Sequence, residues 1–477
     1  MRRPDGATDG VSVEAPDGAD TIVAVATGAG RAALAVLRIS GPAAGDVADR
    51  LGLAPLEPRR ASLRRLVHPE EGTAIDRVLA TLFPAPASYT GEDVLEIGCH
   101  GGLLVPQMVL DAACAAGARP ARRGEFTRRA YLNGRIDLLQ AEATADLIDA
   151  RSPVAGRVAL SQLEGAASRR IEDLRRRLID LRALVAYEID FPEEDDGPLD
   201  PAREREAVEA LLSELGSFLR FAPQGELLRE GALTVIAGRP NVGKSSLFNR
   251  LLGSERAIVT EHPGTTRDAI EAVVAVEGYP FRLVDTAGLR EEADPVERIG
   301  IEVARGYVAR ADLVLLCVEA GRPLDEPERA FLAGLSDGAG CILVRTKADA
   351  APADRSNDAL AADALAADDA GEDGNIRVSS TVGTGLEALR QRMLAEAWMG
   401  LRESGEAPMV TRRRHLRALR AARSDVEAYR AARASTLPPE VAVTHLRDAA
   451  TRMEEILGVV DVEDVLDAVF GAFCIGK

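Results

Sequence analysis

From Thr21 to about Asn133, short apolar runs alternate with turns. TIVAVAT and ALAVLRISG predict strands, followed by IDRVLATLFPAP and by EDVLEIGCHGG, which ends in a glycine turn. This mixture points to an α/β or α+β domain. After Asn133 the period changes. Leu160, Leu163, Ala167, Ile171, Leu174, Leu178, Leu181 and Val185 recur three or four residues apart, with Arg, Glu and Asp between them. That spacing predicts an amphipathic helix ending near Phe191-Pro192. An acidic run, Glu193 to Asp196, reads as a solvated loop, and a second helical tract spans Pro201 to Phe221.

From Ala232 to about Trp398, β-branched runs (LTVIAG, AIEAVVAVEG, FRLVDTAG, DLVLLCVEA, CILVRT and IRVSS) alternate with helical stretches. This predicts a parallel sheet with crossover helices. Ala350 to Asn375 is rich in Ala and Asp and reads as a surface insertion. Beyond Trp398 the chain returns to helix with TRRRHLRALRAARSDVEAYRAAR. The helices on either side of the α/β stretch each carry an apolar stripe that needs a partner. The economical arrangement inserts the α/β domain between two halves of one helical domain. The predicted division is a polar arm over 1–20, an N-terminal domain over 21–134, helical parts over 135–230 and 399–477, and an inserted domain over 231–398.

Length and composition narrow the class. The 477 residues suggest about three domains. Five cysteines form no CxxC pair, and five histidines lack metal-ligand spacing, which argues against a disulfide framework or a zinc ribbon. No apolar run approaches a membrane span and the start lacks a signal-peptide core, so a cytoplasmic protein is expected. A net charge of −18 argues against a nucleic-acid binder working by bulk electrostatics. Of 58 basic side chains, 55 are arginine and only Lys244, Lys347 and Lys477 are lysine. A surviving lysine marks a place where a point charge on a flexible stem is wanted.

Two of the three lysines lie in nucleotide motifs. Gly238-Arg239-Pro240-Asn241-Val242-Gly243-Lys244-Ser245 fits GxxxxGK[ST] and follows a predicted strand, with Ser246 next in line. Its backbone N–H groups and helix N-terminus suit phosphate, Lys244 reaches the β and γ oxygens, and Ser245 suits Mg²⁺. Asp285-Thr286-Ala287-Gly288 follows FRLV, where an Asp near Mg²⁺ and a glycine sensing the γ-phosphate belong. Thr265 and Thr266 lie between, in a loop able to complete the Mg²⁺ shell. Thr346-Lys347-Ala348-Asp349 occupies the place of NKxD, with Asp349 facing the guanine edge and Lys347 lying across the base. Thr346 stands where Asn is usual, which is expected to weaken the guanine contact. Ser379 fits the last base-contacting loop. Leu289 follows the glycine of DTAG and cannot orient water, so another group must substitute. Asn241 is a candidate ligand for a monovalent cation and Glu297 a candidate for orienting the water.

Across Thr21 to Lys477 the chain resembles the MnmE (TrmE) family of tRNA-modification GTPases. The resemblance is carried by SYTGEDVLEIGCHGG, RRGEFTRRAYLNGRIDLLQAEATADLIDA, IDFPEE, GRPNVGKSS, PGTTRD, DTAGLR and the terminal CIGK. It implies a multidomain α/β and all-α protein: an N-terminal α+β folate-binding and dimerisation domain, a discontinuous helical domain, and an inserted P-loop GTPase domain with a mostly parallel sheet. It implies a homodimer that works in a heteromeric complex with an FAD-dependent partner, MnmG (GidA), on carbon 5 of the wobble uridine of certain tRNAs. The one-carbon unit would come from 5,10-methylene- or 5-formyl-tetrahydrofolate.

Matching motifs residue by residue, the resemblance implies potassium ligands at Asn241, Thr260, His262 and Thr265, and Mg²⁺ ligands at Ser245 and Thr266. Glu297 falls at the catalytic glutamate, and Cys474 at a cysteine connected with the modification chemistry. Folate contacts fall at Arg38, Glu96, Arg135 and Lys477, with Arg135 where lysine is frequent. The arginine clusters Arg119–Arg135 and Arg412–Arg433 are the candidate tRNA-facing surfaces. The runner-up is a ribosome-assembly or RNA-binding GTPase switch without modification chemistry, which calls for a dedicated RNA-binding domain after Trp398. A third reading is a folate-binding one-carbon enzyme whose nucleotide motifs have no function, against which the intact phosphate loop and DTAG stand.

Overall fold

The computed structural model describes residues 20–28, 30–191, 200–254, 270–285, 306–335, 340–350, 375–398, 401, 410–435, 437–459, 463–471 and 473–477. The arm before Asp20, the acidic run Glu193 to Asp196 and most of the Ala/Asp-rich insertion lie outside them. The chain groups into two compact units, Met1–Ala145 with Leu457–Lys477, and Asp146–Ile456.

The first unit is built on a six-stranded sheet: β1 (Ile22–Val25), β2 (Leu34–Ser40), β3 (Ser62–Val67), β4 (Ala74–Phe83), β5 (Val94–His100) and β6 (Arg119–Pro120). Their spatial order is β3-β4-β5-β2-β1-β6, antiparallel except for the short β1–β6 pair. Side chains alternate between the faces with period two. Leu37 and Ile39 of β2, Val78 and Ala80 of β4, and Leu95 and Ile97 of β5 form one core with Val109, Ala112 and Ala113 of the helix Val105–Ala115. Arg38 and Glu96, which are register partners, therefore fall on the opposite face. The strand patterns foresaw β1, β2, β4 and β5. They did not foresee β3, whose SLRRLV breaks alternation with adjacent arginines, or the two-residue β6.

Two arginines of the Arg119–Arg135 cluster are engaged inside this unit. Arg129 is 2% exposed and meets Asp20 at 2.7 Å, Glu125 at 3.0 Å and Glu92 at 3.2 Å. Arg119 meets Glu125 at 2.6 Å and also pairs with Asp20. Burial raises the Glu125 carboxyl, but Arg119, the Arg122 N–H and Arg129 outweigh it and hold it below its ordinary value. Arg129 is a buried cross-link of the fold, and Arg119 pairs with acidic neighbours while partly exposed.

The second unit opens with four helices: Pro153–Leu163, Ala166–Asp190, Pro201–Arg220 and Ala222–Glu230. The single helix expected from Leu160 to Val185 is divided, because Gly165 adopts a left-handed φ of 80° as the N-cap of the second piece. The apolar spacing runs through the break and cannot reveal it. The Pro201 helix starts where Asp200 accepts a hydrogen bond from the Ala202 N–H at 2.9 Å, a side-chain cap followed by proline in the first turn.

A second six-stranded sheet follows: β7 (Ala232–Gly238), β8 (Ile270–Val276), β9 (Tyr279–Asp285), β10 (Leu313–Glu319), β11 (Gly340–Thr346) and β12 (Asn375–Arg377). Its order is β12-β11-β10-β7-β9-β8, parallel except for the β8–β9 hairpin. Leu313, Leu315, Ile342 and Val344 belong to one core cluster and Val314, Leu316 and Val318 to another, the pattern of a sheet covered on both faces. Val158 of the Pro153 helix joins the first cluster, and the Val154 N–H donates to the Gly278 carbonyl in the hairpin turn at 3.3 Å.

The helix Arg413–Ala434 packs on the Pro201–Arg220 helix, so segments before and after the sheet meet. Tyr429 donates to Glu204, Arg433 contacts Glu204 at 2.8 Å and Glu188 at 2.9 Å, and Arg430 pairs with Glu209 at 2.7 Å. Among the described residues, no helix is long and apolar enough to cross a membrane.

Candidate functional site

The phosphate loop grows from β7, whose residues Ala232–Ala237 are all buried. Gly238 ends the strand at φ 139°, and a Cβ there would collide with the Cys317 carbonyl of β10. Asn241 (φ 62°) and Gly243 (φ 101°) also lie in the left-handed region, so the backbone curls before the helix Lys244–Ser254 begins. A curl of this kind directs successive N–H groups into one concavity, and the helix N-terminus adds its dipole. Lys244 is 5% exposed, and its ammonium donates to the Arg239 carbonyl at 2.7 Å across the loop. Ser245, Ser246 and the Asn241 side chain are exposed at the mouth, as donors to phosphate or a cation must be. Asp285 ends β9 beside β7, in register with Ile236, and is 3% exposed. Arg239 reaches out of the loop to Asp325 at 2.5 Å, the residue that caps the helix Glu326–Ala333.

On the base side, Lys347 holds a left-handed φ of 54° and its ammonium lies 3.5 Å from Glu319. Asp349 is exposed and accepts from the Thr381 hydroxyl at 3.1 Å. Hydrogen bonding from Ser379 is the main cause that lowers its carboxyl, with Thr381 adding to it. Ser379 itself is buried, bonds Thr381 at 2.9 Å and accepts from the Val382 N–H at 3.2 Å. Thr381 is a partner that the sequence does not announce, since a lone threonine after Ser-Ser carries no signal of its own. Thr346 is 2% exposed and turns its hydroxyl to the Val242 carbonyl at 2.5 Å, inside the site. Thr260, His262, Thr265, Thr266, Thr286, Ala287, Gly288 and Glu297 lie outside the described residues.

A separate constellation forms in the first unit. Arg38 donates to Glu96 through Nη2 at 2.7 Å and Nε at 3.0 Å, and its guanidinium lies 5.1 Å from the Tyr89 ring and 5.9 Å from the Phe126 ring. The chain end reaches the same place. Ile475 pairs with Arg123, the Gly124 N–H faces the Cys474 carbonyl at 3.5 Å, and Gly476 turns at φ 99° where a Cβ would strike the Val25 carbonyl. Lys477 is then half-buried. Burial and the nearby Arg38 charge depress its ammonium below the ordinary lysine value, and Glu96 opposes them.

Arg38, Glu96 and Lys477 thus come together from positions far apart in the chain. Arg135 packs on Gly91 and lines an open cleft of about 530 Å³ with Tyr131, Asp137, Gln140 and Gly458. Cys474 is exposed. The aromatic walls Tyr89 and Phe126 sit within SYTGED and GEFTRR, where nothing in the sequence marks a lone ring as part of a site.

Two family descriptions match the chain: "GTP-binding protein TrmE N-terminus" over residues 21–135 and "MnmE helical domain" over residues 138–474. The second alone spans more than half of the sequence. This chain belongs to the MnmE family of tRNA modification GTPases. Relatives agree along the full length. The tRNA modification GTPase MnmE of Pseudomonas savastanoi pv. phaseolicola is 42% identical over 465 residues, covering 96% of this chain and 99% of that one. That of Laribacter hongkongensis is 43% identical over 470 residues, with 96% and 99% covered. Among solved structures, the G domain of the T. maritima FeoB iron transporter is 31% identical, covering 34% of this chain and 97% of that one, at a TM-score of 0.24. An MnmE-family chain with an intact phosphate loop is a GTP hydrolase, and the described geometry around Lys244 is the part of that machinery visible here.

Proposed function

We propose that this protein is a potassium-activated GTPase that modifies carbon 5 of the tRNA wobble uridine, with a folate one-carbon unit and an FAD-dependent partner of the MnmG type. The observation that carries the reading is the seating of Lys477 beside Arg38 and Glu96 in a chain that also holds a phosphate loop. An ammonium, a guanidinium and a carboxylate against two aromatic rings suit a folate, which has acidic carboxylates, a flat ring and amino N–H donors. Arg38, Glu96 and Lys477 would hold it, and it would supply the carbon unit when bound. Cys474, exposed three residues before the end, lies within the same tail and is assigned to the modification chemistry.

In the nucleotide site, Lys244 and the loop N–H groups would neutralise charge on the β and γ phosphates as it develops. Ser245, with Thr266, would hold Mg²⁺. Asn241, with Thr260, His262 and Thr265, would hold a potassium ion, whose charge takes the part of an arginine finger. Glu297 would orient the attacking water in place of the glutamine that Leu289 cannot be. The protein would work as a homodimer in the cytoplasm, bound to its FAD-dependent partner and to tRNA.

Mass spectrometry of wobble uridines from cells with and without this protein tests the modification; identical nucleoside profiles would refute it. GTP turnover is expected to be faster in potassium than in sodium, with Asn241→Ala removing the difference. Equal wild-type rates in the two salts would remove the cation from the reading.

A further inference from the structure

The helices Ala166–Asp190 and Arg413–Ala434 are both rich in arginine, and they treat it differently. The first spreads six arginines among five acidic residues. Arg175 meets Glu172 at 3.1 Å, Arg176 pairs with Asp173, and Arg177 lies 3.8 Å from the same carboxylate. Charge is offset there within one turn, as on an ordinary solvated face. The second helix opens without that balance. From Arg412 to Ser424 there are six arginines and no Asp or Glu. Four of the six are occupied: Arg412 meets Asp146 at 2.6 Å, Arg413 pairs with Glu226, Arg414 donates to the Glu455 carbonyl at 2.6 Å, and Arg423 meets Glu427 at 3.0 Å. Arg417 and Arg420 remain. Both are exposed, and among the described residues neither has a hydrogen bond or an ion pair.

Their placement follows from the helix period. His415, Ala418, Leu419 and Ala422 are buried, which turns positions 413, 417 and 420 outward along one line. Side chains three or four residues apart on a helix stand about 5–6 Å apart at Cβ, close to the step between successive phosphates of an RNA strand. A guanidinium fork grips phosphate oxygens in pairs. No internal ion pair has to break for Arg417 and Arg420 to reach such a ligand. In a chain with a net charge of −18, most of the surface repels a polyanion, so contact is favoured where cations stand without carboxylates. We propose that Arg417 and Arg420 form an RNA-binding stripe that grips consecutive backbone phosphates of tRNA and positions it without reading its sequence. The inference rests on the reading of tRNA as the substrate. It narrows the Arg412–Arg433 cluster to two side chains, since the partners of Arg412, Arg413, Arg414, Arg423, Arg430 and Arg433 engage them within the fold.

The test measures binding of unfractionated tRNA to the full-length chain at a series of salt concentrations. Wild type is compared with the double variants Arg417→Gln/Arg420→Gln and Arg417→Lys/Arg420→Lys, and with Arg176→Gln/Arg177→Gln as a control. Each lost phosphate contact removes about 0.7–0.9 from the slope of log affinity against log salt. The glutamine pair at 417 and 420 should therefore flatten the slope by about 1.4–1.8 and bind roughly 10- to 100-fold more weakly at low salt. The lysine pair keeps both charges and should keep the wild-type slope. The control pair removes charges that Asp173 already offsets and should bind as wild type does. GTP turnover without tRNA should be equal in all four proteins, as exposed positions allow. Wild-type slope and affinity in the glutamine pair would overturn the inference, leave tRNA as the substrate, and point the stripe toward an acidic protein surface. An equal loss in the control pair would overturn it as well, since any surface arginine would then serve. A wild-type chain that bound no tRNA would refute the tRNA reading and this inference with it.

Discussion

The phosphate loop and the Lys477 constellation are both charged sites on six-stranded sheets, yet they are assembled in opposite ways. The loop site is local. Gly238 to Ser246 supply the curl, the buried ammonium and the helix start in nine consecutive residues, and β7 delivers them from the middle of a covered sheet. The other site joins β2, β5 and the last residue of the chain, with its aromatic walls taken from a loop and a helix. A local site tolerates changes elsewhere, because backbone geometry builds it. A site made of chain ends depends on every turn that brings the tail home, such as Gly476 against the Val25 carbonyl.

The comparison breaks if the two sites fail to lose function separately. The largest effect is expected from Lys244→Ala, which removes a preorganised charge from the loop. GTP turnover should fall by roughly 10²–10³-fold, measured as phosphate release, while tetrahydrofolate binding is unchanged. A parallel loss of folate binding would show that the sites are not independent. Lys477→Ala is the converse and should have a smaller effect. Loss of a charge-assisted contact predicts roughly 10- to 100-fold weaker tetrahydrofolate binding by calorimetry, with GTP turnover kept. Retained folate affinity would take Lys477 out of the site.

The smallest effect sharpens the description of the tail. The Lys477 ammonium is depressed on folding, so the unfolded chain binds more protons than the folded one. Stability should therefore rise with pH between the depressed value and the ordinary lysine value of about 10.4, as the cost of burying the charge is relieved. Thermal unfolding of wild type and Lys477→Met across pH 7–10 should show this slope in wild type only. Parallel curves would mean that the tail does not dock as described.

Much of the architecture was legible because it repeats in sequence. The apolar runs of β7 and β10 are buried on both faces and stand out whatever packs on them. Lysine scarcity was also informative: Lys244 is buried and Lys477 half-buried at charged sites, and Lys347 holds a strained backbone beside the base loop. The helix break at Gly165 was not legible, since a single left-handed residue leaves the apolar spacing intact. Neither was the fate of Arg129, which sequence reads as surface charge and packing turns into a buried cross-link.

The sequence alone determined the phosphate-binding chemistry, because that chemistry resides in consecutive backbone groups whose conformations follow from Gly, Asn and the helix start. It also determined most of the order of strands and helices, the arginine-interrupted β3, the short β6 and the break at Gly165 excepted, because burial imposes its period on the chain. Only the tertiary structure decided which way Thr346 points and that the tail turns back at Gly476 against the Val25 carbonyl, which half-buries Lys477 near Arg38 and Glu96. Both depend on partners separated by a hundred residues or more. A hydrogen bond acts over about 3 Å and a packing contact over little more, and no spacing along the chain states which distant groups folding will bring that close.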